Sequence, residues 1–417
     1  MSKNIKKYVL IGAGPASVRA AETLRKADAD CSITMIGLEA ESPYSRMALP
    51  YYLSGMIKDT GTHLRKTDGH FEGLRINHIQ AKVEKVDSSH NQVTLDNGDV
   101  YDYDKLMIAT GSRPAKSPFP GADNKGVLNC WTLADGRKIL DTIKPGSKVA
   151  LLGAGFVASI IVEAMLKRKV DLTVMLGRTG FMVSRMMDET AGKMIQSWCE
   201  SKGVSMILPN SIKSIEPGPA LKRDDDSLTE FDLIIVATGV YSNIEFLEGS
   251  GIKTDNGILV DASLRTNVDN IYAAGDVAQG VDFSTGGQSV HAIQPTAVDH
   301  GRIAAVNMMG GSAKYKGSLS MNVLDTAGLV STSFGSWGGV EGGETATLLD
   351  KEGYKYVRLN FKDDLLVGAI TVGRTDFIGV MRGLIQSEVH LGDWKEKLIE
   401  DPTLVMNAYL AKSLDVA

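Results

Sequence analysis

The chain has 417 residues, about three domains at roughly 150 residues each, with 43% hydrophobic and 23% charged residues. Glycine (44) far outnumbers proline (12), the balance of an ordinary globular chain with many tight turns and not of a disordered one. A net charge of −5 argues against a counterion-releasing surface for nucleic acid, so any anion must be held by local groups.

In chain order, the opening MSKNIKKYVLIGAG is positively charged, but its short apolar stretch breaks at glycines and not at a cleavage site, which reads as a cytoplasmic protein. YVLIG (8–12) predicts a short buried strand, Ser17–Ala27 a helix and SITMIG (32–37) a second strand, together a βαβ unit. VALLGAG (149–155), an apolar helix to about Lys169 and DLTVML (171–176) repeat the unit. Two such units imply two nucleotides. LMIATGSRP (106–114) and LIIVATGVYSN (233–243) each read as a buried strand ending in a threonine-glycine turn. NIYAAGDVA (270–278) precedes HAIQPTAVDHGRIAAVNMMG (291–310), a helix with Pro295 in its first turn and Gly310 at its end. GGSAKYKG (310–317) reads as a linker. TATLLD, YKYVRLNF and LLVGAITVG then predict a three-stranded antiparallel meander, followed by helical segments near 375–388 and 403–412. The fold class expected is α/β, with two Rossmann-like dinucleotide-binding domains and a small α+β C-terminal domain.

No run approaches the ~20 apolar residues of a membrane helix. Cys31, Cys130 and Cys199 are too far apart for a CxxC pair, an iron–sulfur cluster or a zinc ribbon, so redox chemistry would belong to a bound organic cofactor. In GAGPAS, Gly12 permits the strand-to-helix turn, Gly14 lets backbone approach a pyrophosphate, and small Ser17 allows close helix packing. Glu39 is the acidic candidate about 20 residues on. GAGFVA (Gly153, Gly155, Phe156, Val157) repeats the pattern, but its second strand runs into Arg178 with no carboxylate. An arginine there suits a 2′-phosphate or simply solvent, which leaves NADH against NADPH open. KRDDD (222–226) and KEKLIED (395–401) read as solvated surface.

GAGPAS, PYSRMALPYY, LMIATGSRP, GAGFVA, LIIVATGVYSN and IYAAGDVA occur in the order seen in FAD-dependent pyridine nucleotide-disulfide oxidoreductases, over roughly residues 5–320. Within that superfamily the chain resembles the branch without an active disulfide: rubredoxin reductases, ferredoxin reductases and the flavoprotein part of nitrite reductases. The tail, with RGLIQSEVHLGDWKEKL, also resembles their C-terminal regions. The resemblance implies an FAD domain from 1–115 and 241–317, an NAD(P) domain from 116–240 and a C-terminal domain from 318–417. It implies FAD at Gly12, Gly14, Pro15, Ala16, Ser17, Glu39, Arg46, Thr110, Gly111, Gly275, Asp276, Ile293 and Gln294, and NAD(P) at Gly153, Gly155, Phe156, Val157, Arg178 and Gly239. The helix after Ile293 and Gln294 points its positive end at the flavin pyrimidine in relatives, where reduction adds negative charge.

Three departures qualify that reading. Met47 stands where coenzyme A disulfide reductases carry a cysteine, and a thioether forms neither thiolate nor mixed disulfide. Tyr51 and Ile160 replace a lysine–glutamate pair that ferredoxin-reductase relatives place beside flavin N5, which predicts a less polar pocket around Met47, Tyr51 and Ile160. Trp131 stands where relatives often carry a phosphate-binding arginine, shifting anionic load to Arg46. His291 reads either as a proton donor near the flavin helix or as a structural histidine. The leading expectation is an FAD enzyme passing electrons from NAD(P)H to a rubredoxin- or ferredoxin-like carrier. The alternatives are an NAD(P)H oxidase or small-molecule reductase, and an FAD-binding electron-transfer subunit or scaffold that does not use NAD(P)H.

Overall fold

The computed structural model describes residues 5–209 and 212–414, so the first four residues of the opening stretch lie outside it. The elements that position the site are, in chain order, β1 (Lys7–Ile11), α1 (Pro15–Ala27), β2 (Ser32–Gly37), α2 (Leu49–Ser54), β3 (Ile76–Gln80) and β4 (Lys105–Ile108). There follow β5 (Val127–Asn129), α3 (Leu133–Thr142), β6 (Lys148–Leu152), α4 (Phe156–Lys167), β7 (Asp171–Met175), α5 (Glu189–Ser201), β8 (Ser205–Ile207) and β9 (Leu233–Val236). The chain then adds β10 (Ile271–Ala273) and α6 (Gln294–Met308).

Two five-stranded parallel sheets result, ordered β10-β4-β1-β2-β3 and β8-β7-β6-β9-β5. Their central strands are continuous apolar runs because helices and connections cover both faces: in β1 every residue after Lys7 is buried, and in β9 all are. α1 starts on Pro15, whose missing N–H costs nothing in a first turn, and ends with Arg25 and Lys26 against the carbonyl end of the helix dipole. α3 is opened by a capping box between Thr132 and Asp135. These elements match the predicted βαβ repeat, with boundaries shifted by one or two residues.

The C-terminal part is an antiparallel sheet of β11 (Met321–Thr326), β12 (Leu329–Gly335), β13 (Glu344–Asp350), β14 (Lys355–Lys362) and β15 (Leu365–Val372), ordered β11-β12-β15-β14-β13. Helices α7 (Ile378–Gln386), α8 (Trp394–Glu400) and α9 (Val405–Leu414) follow. The expected meander is β13–β15; the β11–β12 hairpin and α8 were not anticipated. KEKLIED lies mostly in α8 and is not simply surface, since Leu398 is fully buried. KRDDD runs from a strand end at Lys222 and Arg223 into an exposed turn of three aspartates, with Asp226 paired to Lys213 and Lys222.

One apolar core does not respect these sheets. Leu49 and Leu53 of α2, Val149 and Ile161 from the second unit, and Leu324, Tyr356 and Ile370 from the C-terminal sheet belong to the same buried cluster. Among the described residues no helix is long and apolar enough to cross a membrane.

Candidate functional site

Both glycine turns are built alike. Ile11 pairs with Ile36 and Leu152 with Met175, and each strand then enters a glycine in the left-handed region, Gly12 at φ +109° and Gly153 at φ +122°. A Cβ on Gly12 would lie 2.1 Å from the Ala109 carbonyl oxygen, and one on Gly153 2.3 Å from that of Ala237. Only glycine fits either position. Gly14 and Gly155 differ: a Cβ there would meet nothing within 4 Å. Each stands at the N-terminus of a helix, α1 or α4, whose first N–H groups lack intrahelical acceptors. Open space beside a glycine and free helix N–H groups are what an anion such as a pyrophosphate needs, and the combination occurs twice.

The two alanine-threonine-glycine turns share a positive-φ glycine but differ at the threonine. Thr110 donates from its hydroxyl to the Asn243 carbonyl at 2.9 Å, and Gly111 has φ +67°. In the second unit Gly239 has φ +132°, and the buried Thr238 hydroxyl has no partner among the described residues. An orphaned hydroxyl beside a glycine turn fits a polar ligand.

Asp276 follows Gly275, which has φ +74°. Its Oδ2 accepts from the Ser112 hydroxyl at 3.1 Å, and its carbonyl accepts from the Ser242 hydroxyl at 3.1 Å. Burial pushes the Asp276 carboxyl up, against the opposing pull of Ser112 and of the Arg46 charge. A desolvated carboxylate with this little compensation fits hydroxyl donors from a sugar or ribityl chain.

α6 reaches this turn from behind. Gly301 lets it touch α1, since a Cβ there would lie 2.1 Å from the Ala16 carbonyl oxygen. The Ser45 hydroxyl donates to Gln294 Oε1, joining the PYSR segment to the N-terminal end of α6, while the Ile293 N–H bonds the His291 carbonyl at 2.9 Å. His300 of α6 accepts the Gly275 N–H on Nδ1 at 3.3 Å. Sequence reasoning missed His300; it stands between Asp299 and Gly301 in a helix that also carries Arg302 and Asn307, so its residue type gave no local signal.

Arg46 and Glu39 come together. The Arg46 guanidinium bonds Glu39 Oε1, the Tyr44 hydroxyl at 2.6 Å and the Trp131 carbonyl at 3.1 Å. It lies 5.3 Å from the Tyr44 ring centroid and 5.6 Å from that of Trp131, in cation–π range. Tyr44 donates to Glu39 Oε2 at 2.6 Å, and the Trp131 indole N–H donates to Ser112 at 2.9 Å. Trp131 is thus a platform for the arginine, and Tyr44, also missed, is its buried anchor.

Met47 lies in a single 3₁₀ turn, 43% exposed, and Tyr51 in α2 is 53% exposed. Ile160 is half-buried in α4, against which α2 packs. Phe156 and Val157 form the half-buried first turn of α4, and Arg178 is exposed beyond β7. His291 Nε2 is 2.9 Å from Asp282 Oδ2; that pair and two backbone N–H groups outweigh burial and hold the Asp282 carboxyl below the usual range. Cys31, Cys130 and Cys199 are buried free thiols; burial raises all three, the latter two to about 12. Among the described residues no cluster of His, Cys, Asp or Glu could hold a metal ion.

The profile of the pyridine nucleotide-disulphide oxidoreductases matches residues 6–301. The chain belongs to that family. It is 31% identical over 405 residues to subunit epsilon of an NADH-dependent phenylglyoxylate dehydrogenase from Aromatoleum evansii, covering 96% of both chains. It is also 31% identical over 320 residues to an NADH oxidase of Methanocaldococcus jannaschii, covering 74% of this chain and 71% of the other. The reductase chain of a covalent putidaredoxin reductase–putidaredoxin complex shares the fold, with a TM-score of 0.89 at 19% identity and coverage of 98% and 99%. Within the family this chain is an NAD(P)H-dependent flavin oxidoreductase with no disulfide pair among its described cysteines.

Proposed function

We propose that this protein moves electrons from NAD(P)H through FAD to a small redox protein, without help from a thiol. The observation that carries the reading is the duplicated cradle: two glycine turns open at Gly14 and Gly155, with no reactive cysteine to relay electrons. Bound FAD would supply the conversion between a two-electron hydride donor and a one-electron carrier. On this reading residues 1–115 and 241–317 hold FAD, 116–240 hold NAD(P)H, and 318–417 shape access to the flavin.

The chain's own groups bind and orient. Gly12 and Gly14 admit the pyrophosphate to the N–H groups of α1, Asp276 accepts from ribityl hydroxyls, and Glu39 keeps lone pairs for a ribose beyond those used by Arg46 and Tyr44. The N-terminal end of α6, fixed by Ser45 on Gln294 and by His300 under Gly275, aims a positive dipole where reduction adds charge. Arg46, stacked and already paired, adds a cation without needing to reorganise.

Anaerobic mixing with NADH and with NADPH tests the donor half. Either should bleach the flavin, and an added oxidised rubredoxin or ferredoxin should restore its colour within turnover time. Failure of both nucleotides to bleach rejects the reading. The full-length similarity to a dehydrogenase subunit supports a second one, in which the redox protein is a neighbouring subunit and not a diffusing carrier. Slow reoxidation by free carriers, together with co-purification of a dehydrogenase, favours it. Fast oxygen consumption with no carrier present favours an oxidase instead.

A further inference from the structure

The two dinucleotide units can be compared position by position, because their strands share one register. Ile36 and Met175 are the residues paired with the last residue before each glycine turn. Three residues beyond Ile36 stands Glu39, and three residues beyond Met175 stands Arg178. The place held by a carboxylate in the first unit is held by a guanidinium in the second. Glu39 is occupied by Arg46 and Tyr44, whereas Arg178 is exposed and forms no ion pair with the described residues.

The connection that carries Arg178 is clamped to the turn. The Val183 N–H donates to the carbonyl of Ala154, between Gly153 and Gly155, at 2.7 Å. Val183 has φ +51°, a conformation that a β-branched residue adopts only when its surroundings impose it. Phe181 and Met182 pack on α5 so closely that a Cβ on Gly192 would lie 2.3 Å from the Phe181 ring. From Leu176 to Met187 this strained connection contains Arg178 and Arg185, both exposed, and no acidic residue.

We propose that the second unit takes NADPH in preference to NADH, with Arg178 pairing with the adenosine 2′-phosphate. A free 2′-hydroxyl is best met by a carboxylate acceptor, which this position lacks, whereas a 2′-phosphate is a dianion that a planar guanidinium can grip with two parallel N–H donors. The inference rests on the reading of this unit as the NAD(P)H site and adds which nucleotide it takes.

Calorimetric titration of the FAD-loaded protein with 2′,5′-ADP and with 5′-AMP isolates the 2′-phosphate. The bisphosphate should bind at least about tenfold more tightly, with a preference that shrinks as salt rises. Arg178→Ala should cut the affinity ratio by about tenfold to a hundredfold, and Arg178→Glu should invert it. Equal binding of the two probes by the native protein, or a ratio that Arg178→Ala leaves unmoved, overturns the proposal. The anaerobic bleaching assay separates the two claims. A flavin reduced by NADH as readily as by NADPH defeats this inference and leaves the proposed function standing. A flavin reduced by neither defeats the function itself.

Discussion

His300 is 3% exposed, accepts a backbone N–H on Nδ1, and meets the Tyr315 ring edge-on at 4.6 Å. Burial first, and then the nearby His291, lowers its pKa from 6.5 to about 4. The fold therefore needs the neutral ring. Its contribution to stability is whole above about pH 6.5 and is lost as pH falls toward 4, by about 3 kcal/mol. His300→Asn offers Gly275 an acceptor that does not titrate, so denaturation midpoints between pH 7 and 4.5 should change less in the variant than in the native protein. An unchanged pH profile would assign the acid lability elsewhere. The glycines give a second contrast. Gly14→Val, with open space around it but at the N-cap of α1, should cost the flavin-free protein only about 1 kcal/mol yet leave it unable to retain FAD. Gly12→Ala should cost roughly 2 kcal/mol or more even without flavin, because the new Cβ meets a carbonyl at a positive φ. Melting curves and bound-flavin absorbance separate the two. Both turns were legible in the sequence because a strand, a glycine spacing and a helix follow each other locally. His300 was not, since its partner Gly275 is distant in sequence and only packing brings them together.

Elements show why the C-terminal sheet was half read. β13 to β15 carry the tyrosines, valines and leucines that mark strands, but β12 is buried through Ser331, Thr332 and Ser333. Three buried hydroxyl residues in a row split its apolar residues into Leu329–Val330 and Phe334, which blurs the strand pattern. What makes their burial tolerable is cross-strand bonding, with the Thr332 and Thr371 hydroxyls 2.8 Å apart between β12 and β15. Either Thr→Val change alone should cost about 1–3 kcal/mol, because it strands the other hydroxyl, whereas the double change should cost markedly less. Equal and additive losses in a double-mutant cycle would show that the two do not act as a pair.

Across the whole molecule, the C-terminal sheet is tied to the second dinucleotide unit by shared core and by polar bonds. Asp188 caps α5 through Ala191 while accepting from the Tyr356 hydroxyl at 2.7 Å and from Arg358 at 3.0 Å, and Trp198 donates to the Ala327 carbonyl at 3.0 Å. Asp188→Ala removes a cap and leaves a largely buried arginine unpaired, an expected loss of about 2–4 kcal/mol. Calorimetry should show that loss as a downward shift of one transition; a split into two would mean that the units melt independently. The order of motifs made the architecture legible, but not this joint, because its apolar residues are scattered across all parts of the chain.

The short helix from Leu49 to Ser54 has one further implication. It leaves the first unit to lodge in the core of the second, where Arg168 donates to the Leu53 carbonyl at 2.6 Å. Swinging one α/β unit away from the other would drag Leu49 and Leu53 into water, at about 3–6 kcal/mol for the two side chains. The two α/β units are pinned like two boards sharing a dowel, so a hinge that parts them carries that cost, whereas a rearrangement confined to the rim does not.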